Sequence, residues 1–140
     1  MKYKKEDIQH AIENVDEDVF NLNNKKNKSI KNDILQKLHI PSRLLKEYHK
    51  KLKEYKFVDE IPDITLGRHI RWFNLNNREL TLTNGGCVCD IDVSDVGINL
   101  IIKNYRNRFF RISMNHCIIF QKLSYDEIVF MSVLDYIEKN

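Results

Sequence analysis

Between Tyr55 and Asp63 the hydrophobic period of this chain changes. Before that stretch apolar residues recur at the spacing of one helix face; after it they alternate as along a half-buried strand. The switch predicts an α+β fold: an N-terminal helical block, a small antiparallel β-barrel and a C-terminal helix that closes the core. At 140 residues the chain has room for one ordinary domain. The expected division is a basic helical block over 1–60 and a β-barrel with its C-terminal helix over 61–140, the two sharing one core.

The helical block reads as three helices. Ile8, Ala11, Ile12, Val15 and Val19 predict an amphipathic helix over 5–20, with Glu13, Asp16, Glu17 and Asp18 outside. Residues 21–28 are polar and without period, and predict a loop. A second helix is expected from an N-cap at Ser29, with Ile30, Ile34, Leu35 and Leu38 inward. It ends at His39-Ile40, because the residue before Pro41 is driven out of the α region. A third helix is expected from Ser42 to about Lys56. Leu45, Tyr48, Leu52 and Tyr55 share one side of it, and Arg43, Lys46, Lys50 and Lys53 the other.

Beyond the switch, strands are expected at 66–73, 79–83, 86–93, 98–103, 108–113 and 116–121. In the clearest, Cys87, Cys89, Ile91 and Val93 alternate with Asp90 and Asp92, which places both cysteines on the half-buried face. Asn84-Gly85-Gly86 and Asn104-Tyr105-Arg106-Asn107 supply hairpin turn chemistry. Trp72 shares a face with Ile70 and is expected in the core. Short strands joined by such turns suggest a small barrel. Ser124 and Glu127 have capping-box spacing and start a final helix over 127–138 that is apolar most of the way round. Such a helix must be buried on more than one side, which makes it the expected site of any oligomer contact.

The net charge is only +3, but it is unevenly placed. Residues 22–56 hold 11 Lys and Arg against 3 Asp and Glu, whereas residues 57–140 hold 9 against 11. A basic helical block points to an acidic partner, most often DNA or RNA. The two helices around His39-Ile40-Pro41 fit a helix-turn-helix template, in which the second helix reads the major groove. The expected nucleic-acid-binding residues are Arg43, Lys46, Lys50, Lys51 and Lys53. Two departures favour a plain helical hairpin instead: His39 stands where Gly is usual, and Leu35 is large where a small residue lets such helices cross closely. A second candidate binding surface is Arg71, Tyr105, Arg106, Phe109 and Arg111, where arginine alternates with aromatics as in single-strand binders and protein hot spots.

No catalytic motif is present: no phosphate-binding glycine loop, nucleophile elbow or HExxH. Cys87, Cys89, His116 and Cys117 are metal-ligating types, but they form no C-x2-C pair, and neither a metal nor another cofactor is expected. A polar pocket around His69, Asp90 or His116 would be the sign of an enzyme. The first residues have no apolar core like that of a secretory leader, and no apolar run approaches the ~20 residues that span a bilayer. Free thiols, no membrane and no secretion are expected.

Residues 55–136 resemble small proteins of giant nucleocytoplasmic large DNA viruses that carry no assigned activity. The resemblance lies in Tyr55-Lys56-Phe57-Val58-Asp59-Glu60, Leu66-Gly67-Arg68-His69-Ile70-Arg71-Trp72, Leu82-Thr83-Asn84-Gly85-Gly86, Lys103-Asn104, Arg108-Phe109-Phe110 and Ile118-Ile119-Phe120-Gln121-Lys122-Leu123. It transfers no residue role. It implies a setting, the host cytoplasm (a viral factory) or the virion, and a nucleic-acid or assembly role. The expected function is therefore a non-enzymatic viral nucleic-acid-associated protein. The alternative is a virion structural or assembly protein, of minor-capsid type, acting through viral protein partners.

Overall fold

The structure is a computed structural model that describes residues 3–15 and 19–139. Its elements are α1 (Lys5–Asn14), α2 (Asn24–Lys37), α3 (Ser42–Lys51), β1 (Tyr55–Val58), β2 (His69–Asn74), β3 (Gly86–Ser94), β4 (Gly97–Lys103), β5 (Phe109–Ser113), β6 (Cys117–Lys122) and α4 (Tyr125–Lys139). The mixed α+β class is as expected.

The strands form one antiparallel sheet in the order β1-β6-β2-β3-β4-β5. Among the described residues no pairing joins β5 to β1, so the sheet is open and the expected barrel does not close. β6 inserts between β1 and β2, which leaves as edges two short strands of 4 and 5 residues. β1 itself lies where the third helix was expected to continue. That helix stops at Lys51, and Tyr55–Val58 pairs with β6, Tyr55 opposite Lys122 and Val58 opposite Ile119.

Two other strand expectations fail for local reasons. Residues 79–83 form no strand; Leu82 is buried against the helices, and Thr83 takes the place of a ladder partner. Its Oγ1 accepts from the Trp72 amide at 3.1 Å, and its own amide donates to the Trp72 carbonyl at 3.1 Å. In β3 the register slips between Val88 and Asp90, leaving Cys89 as the extra residue of a bulge. The bulge shifts the alternation, so Val88 is buried and both Cys87 and Cys89 are exposed, the reverse of the simple period-two expectation.

The sheet buries side chains on both faces. Ile70, Trp72, Val88, Leu100, Ile102 and Ile119 belong to one cluster, with Trp72 beside Ile70 as expected. Tyr55, Phe73, Leu82 and Phe120 face the other way and pack against Leu35, Ile40, Tyr48 and Leu52 of the α2–α3 hairpin. This second cluster draws on both sides of the period switch. A third cluster joins Ala11, Val15 and Val19 to Leu123, Val129 and Met131. The first helix ends at Asn14, short of the expected residue 20, and Asp16–Asp18 lie outside the described residues.

The helix ends follow local chemistry. At the start of α4 the capping box forms: the Glu127 amide donates to Ser124 Oγ at 3.1 Å, and the Ser124 amide donates to Glu127 Oε1 at 2.8 Å. α2 starts five residues before the expected Ser29, capped by Asn23, whose side chain accepts from the Lys26 amide at 2.7 Å. α2 ends in a Schellman motif, with the Ile40 amide donating to Leu35 O and the His39 amide to Gln36 O. His39 occupies its left-handed position at φ 57°, where glycine is usual.

Candidate functional site: a lysine-lined cleft between the helices

The polar face of α2 turns inward. Asn27, Lys31 and Leu35, spaced four apart, are its buried residues, whereas Ile30 and Ile34 are only half-buried. Lys31 is 4% exposed, and its Nζ donates to the carbonyls of Leu52 at 2.6 Å and Lys53 at 3.3 Å. These carbonyls lie just beyond the C-terminal end of α3, where a cation is favoured, and Leu52 O also accepts from the Tyr55 amide. Asn27 Nδ2 donates to Tyr55 O at 3.1 Å and ties α2 to β1. Burial, and then the Lys28 charge, lower the Lys31 pKa to about 8.

Beside this anchor lies a cleft of about 550 Å³ lined from α2, α3, α4 and the N-terminal residues. Among the described residues, Lys28, Lys31, Lys50 and Lys53 line it with one carboxylate, Glu54. His49 lines it too, with Nε2 3.0 Å from Asn32 Oδ1. Burial, and then the charges of Lys31 and Lys28, hold the His49 pKa below its ordinary value. Leu123, Ile128 and Tyr3 add an apolar portion, and Asn24 and Asn27 add amides. The arrangement concentrates positive charge in a concave, partly apolar recess, which suits an anion attached to a flat or apolar body.

The structure divides the expected basic residues. Lys50 and Lys53 line the cleft, while Arg43, Lys46 and Lys51 are exposed on α3 outside it. Lys51 pairs with Glu47 at 3.0 Å. α2 and α3 both pack on the sheet, through Leu35, Tyr48 and Leu52. Lys28 and Lys31 were missed. Their signal was a lysine and an asparagine in phase with Leu35, a pattern the apolar period passes over.

The second candidate surface is not continuous. Tyr105, Arg106, Phe109 and Arg111 lie in β5 and its hairpin, where the Arg106 guanidinium sits 5.4 Å from the Tyr105 ring centroid and Arg111 pairs with Asp92 at 2.6 Å. Arg71 belongs to β2, two strands away from β4, with Nε donating to Thr83 O at 2.9 Å. It lies near Tyr55, whose hydroxyl is 2.9 Å from His69 Nδ1. Cys87 stands opposite His69 in the sheet register. Among the described residues no three His, Cys, Asp or Glu side chains gather as a metal site would need. Cys117 is buried, and burial pushes its thiol up to about 11. No described helix is long and apolar enough to cross a membrane.

No family model matches the chain, and no curated protein or solved structure matches it at a significant level.

Proposed function

We propose that this chain is a non-enzymatic nucleic-acid-associated binding protein that engages phosphates through α2 and α3. The observation that carries the reading is the cleft lining, four lysines against one carboxylate among the described residues. The same surface continues along α3 through exposed Lys46 and Arg43. The setting implied by the viral resemblance, a viral factory or virion, offers DNA and RNA as partners. The test is binding of labelled DNA and RNA across a salt series, because phosphate contacts release counterions and give a negative salt slope. Wild type should bind with such a slope, and the triple variant Lys46→Glu, Lys50→Glu, Lys53→Glu should lose retention. Salt-independent or absent binding in wild type would sink the reading.

One observation favours an assembly role instead. Tyr105, Phe109 and Phe110 are exposed at or beside the β5 edge, and Ile137 near the end of α4 is exposed as well. Unpaired edges and exposed aromatics are the material of protein interfaces. Light scattering after size exclusion separates the readings. A mass that rises with concentration supports self-assembly through the edge or α4, and a constant monomer counts against it.

A further inference from the structure

We propose that the lysine-lined cleft is a pocket for a terminal phosphate monoester carried on a nucleoside, so that the protein holds the phosphorylated end of a strand rather than a run of internal phosphodiesters. This rests on the nucleic-acid reading above and narrows it.

Shape is the first argument. A cleft of about 550 Å³ is concave and in the size range of small-ligand sites. An internal phosphodiester carries sugars on both sides and can only pass across such a rim. A chain end can enter. Charge is the second argument. Among the described residues, Lys28, Lys50 and Lys53 line the recess with one carboxylate, Glu54, and the buried Lys31 stands behind them. A monoester carries about −1.5 to −2 at neutral pH, against −1 for a diester, and so uses that excess more fully. The lining is the third argument. Lys28 on α2, Lys50 on α3 and Lys53 just beyond it supply the cationic side, while Leu123, Ile128 and Tyr3 supply apolar and aromatic surface within the same recess. A nucleobase stacks on such surface regardless of its identity, and the side-chain amide of Asn24 is there for polar groups of the base or sugar. Lys31 fixes the frame: its bonds to the Leu52 and Lys53 carbonyls hold the end of α3 against α2, which sets the separation of the lysines on the two walls.

The experiment measures anisotropy of internally labelled oligonucleotides of one sequence with a 5′-phosphate, a 3′-phosphate or only hydroxyl ends. Inorganic phosphate and a nucleoside monophosphate serve as competitors. At least one phosphorylated end should bind roughly tenfold tighter than the hydroxyl strand, the scale of about one net hydrogen bond to a charged group. Nucleoside monophosphate should compete better than inorganic phosphate. Lys28→Glu, or Lys53→Gln as a second variant at an exposed position, should erase the preference for the phosphorylated end. Lys46→Glu, outside the cleft, should lower the affinity for all strands alike and leave the ratio unchanged. Equal binding of phosphorylated and hydroxyl strands overturns the end pocket but leaves the nucleic-acid reading intact. Binding of nucleoside monophosphate with no strand retained keeps the pocket and rejects the strand as its ligand. Equal competition by inorganic phosphate overturns the nucleoside part.

Discussion

The ammonium of Lys31 on α2 donates to the carbonyl of Leu52 just beyond α3 at 2.6 Å, from a side chain that is almost wholly buried. A lysine thus closes a helix end from the inside of the hairpin and gives up free hydration to do so. Its pKa falls from 10.5 to about 8 in the folded protein. Between those values the unfolded chain binds the proton and the native protein does not, so this group adds stability as pH rises through the window. Urea midpoints of wild type and Lys31→Met at pH 7, 8.5 and 10 test it. The advantage of wild type over the variant should grow with pH. Other titrating groups, Cys117 among them, are common to both proteins and cancel. A difference that stays flat across the series would contradict the linkage.

Glu127 is a capping residue with two further cationic partners. Arg68 Nη1 reaches its Oε1 at 2.5 Å and Lys56 Nζ its Oε2 at 3.5 Å, and both Glu127 and Lys56 are buried. Removing the carboxylate charge takes the Glu127 anion away from Arg68 and from the buried Lys56. Glu127→Gln should therefore cost about 3–5 kcal/mol. Ser124→Ala, which removes only the hydroxyl half of the box, should cost about 1 kcal/mol. Equal losses in chemical denaturation would show that the charges add nothing beyond the cap.

His39 sits at φ 57° in the Schellman position. A left-handed conformation costs a side chain about 1–2 kcal/mol, and a glycine there loses about 0.5–1 kcal/mol through the entropy of the unfolded chain. His39→Gly should give a net gain of about 0.5 kcal/mol and a melting temperature about 2 °C higher. A lower melting temperature would mean that the His39 side chain makes a stabilising contact.

Gly85 and Gly67 both have positive φ, at 81° and 84°, but differ in surroundings. A Cβ on Gly85 would lie 1.9 Å from the Ile70 carbonyl oxygen, whereas one on Gly67 meets nothing within 4 Å. Gly67→Ala should cost about 1 kcal/mol from backbone strain alone. Gly85→Ala adds overlap with a paired strand and should cost about 4 kcal/mol or more. Comparable denaturation midpoints for the two variants would refute this account of the β2–β3 approach.

What proved legible in the sequence was carried by neighbours along the chain. Ser124 and Glu127 needed only each other's spacing to form their box. The turn at Asn104–Asn107 was readable because Asn107 tolerates φ 61°. Trp72 and Ile70 fell on one buried face by period two. Pro41 marked the break between α2 and α3. The lysines along α3 showed as a basic face, and two of them line the cleft.

Tertiary structure decided the rest, because the deciding partners are distant in sequence. Tyr55–Val58 is too short to announce itself as a strand and becomes one by pairing with β6, more than sixty residues on. The sheet order leaves β1 and β5 as edges that do not pair with each other among the described residues. The bulge at Cys89 turns two cysteines outward because β4 opposes β3 with one residue fewer. The first turn of α2 was unreadable by hydrophobic period, since the face it buries carries Asn27 and Lys31, whose partners are backbone carbonyls of residues 52–55. By itself the sequence determined the class, most of the helix ends and where the positive charge lies. The tertiary structure decided the open sheet, the burial of Lys31 and the cleft, because each depends on hydrogen-bonding groups that only the folded chain brings together.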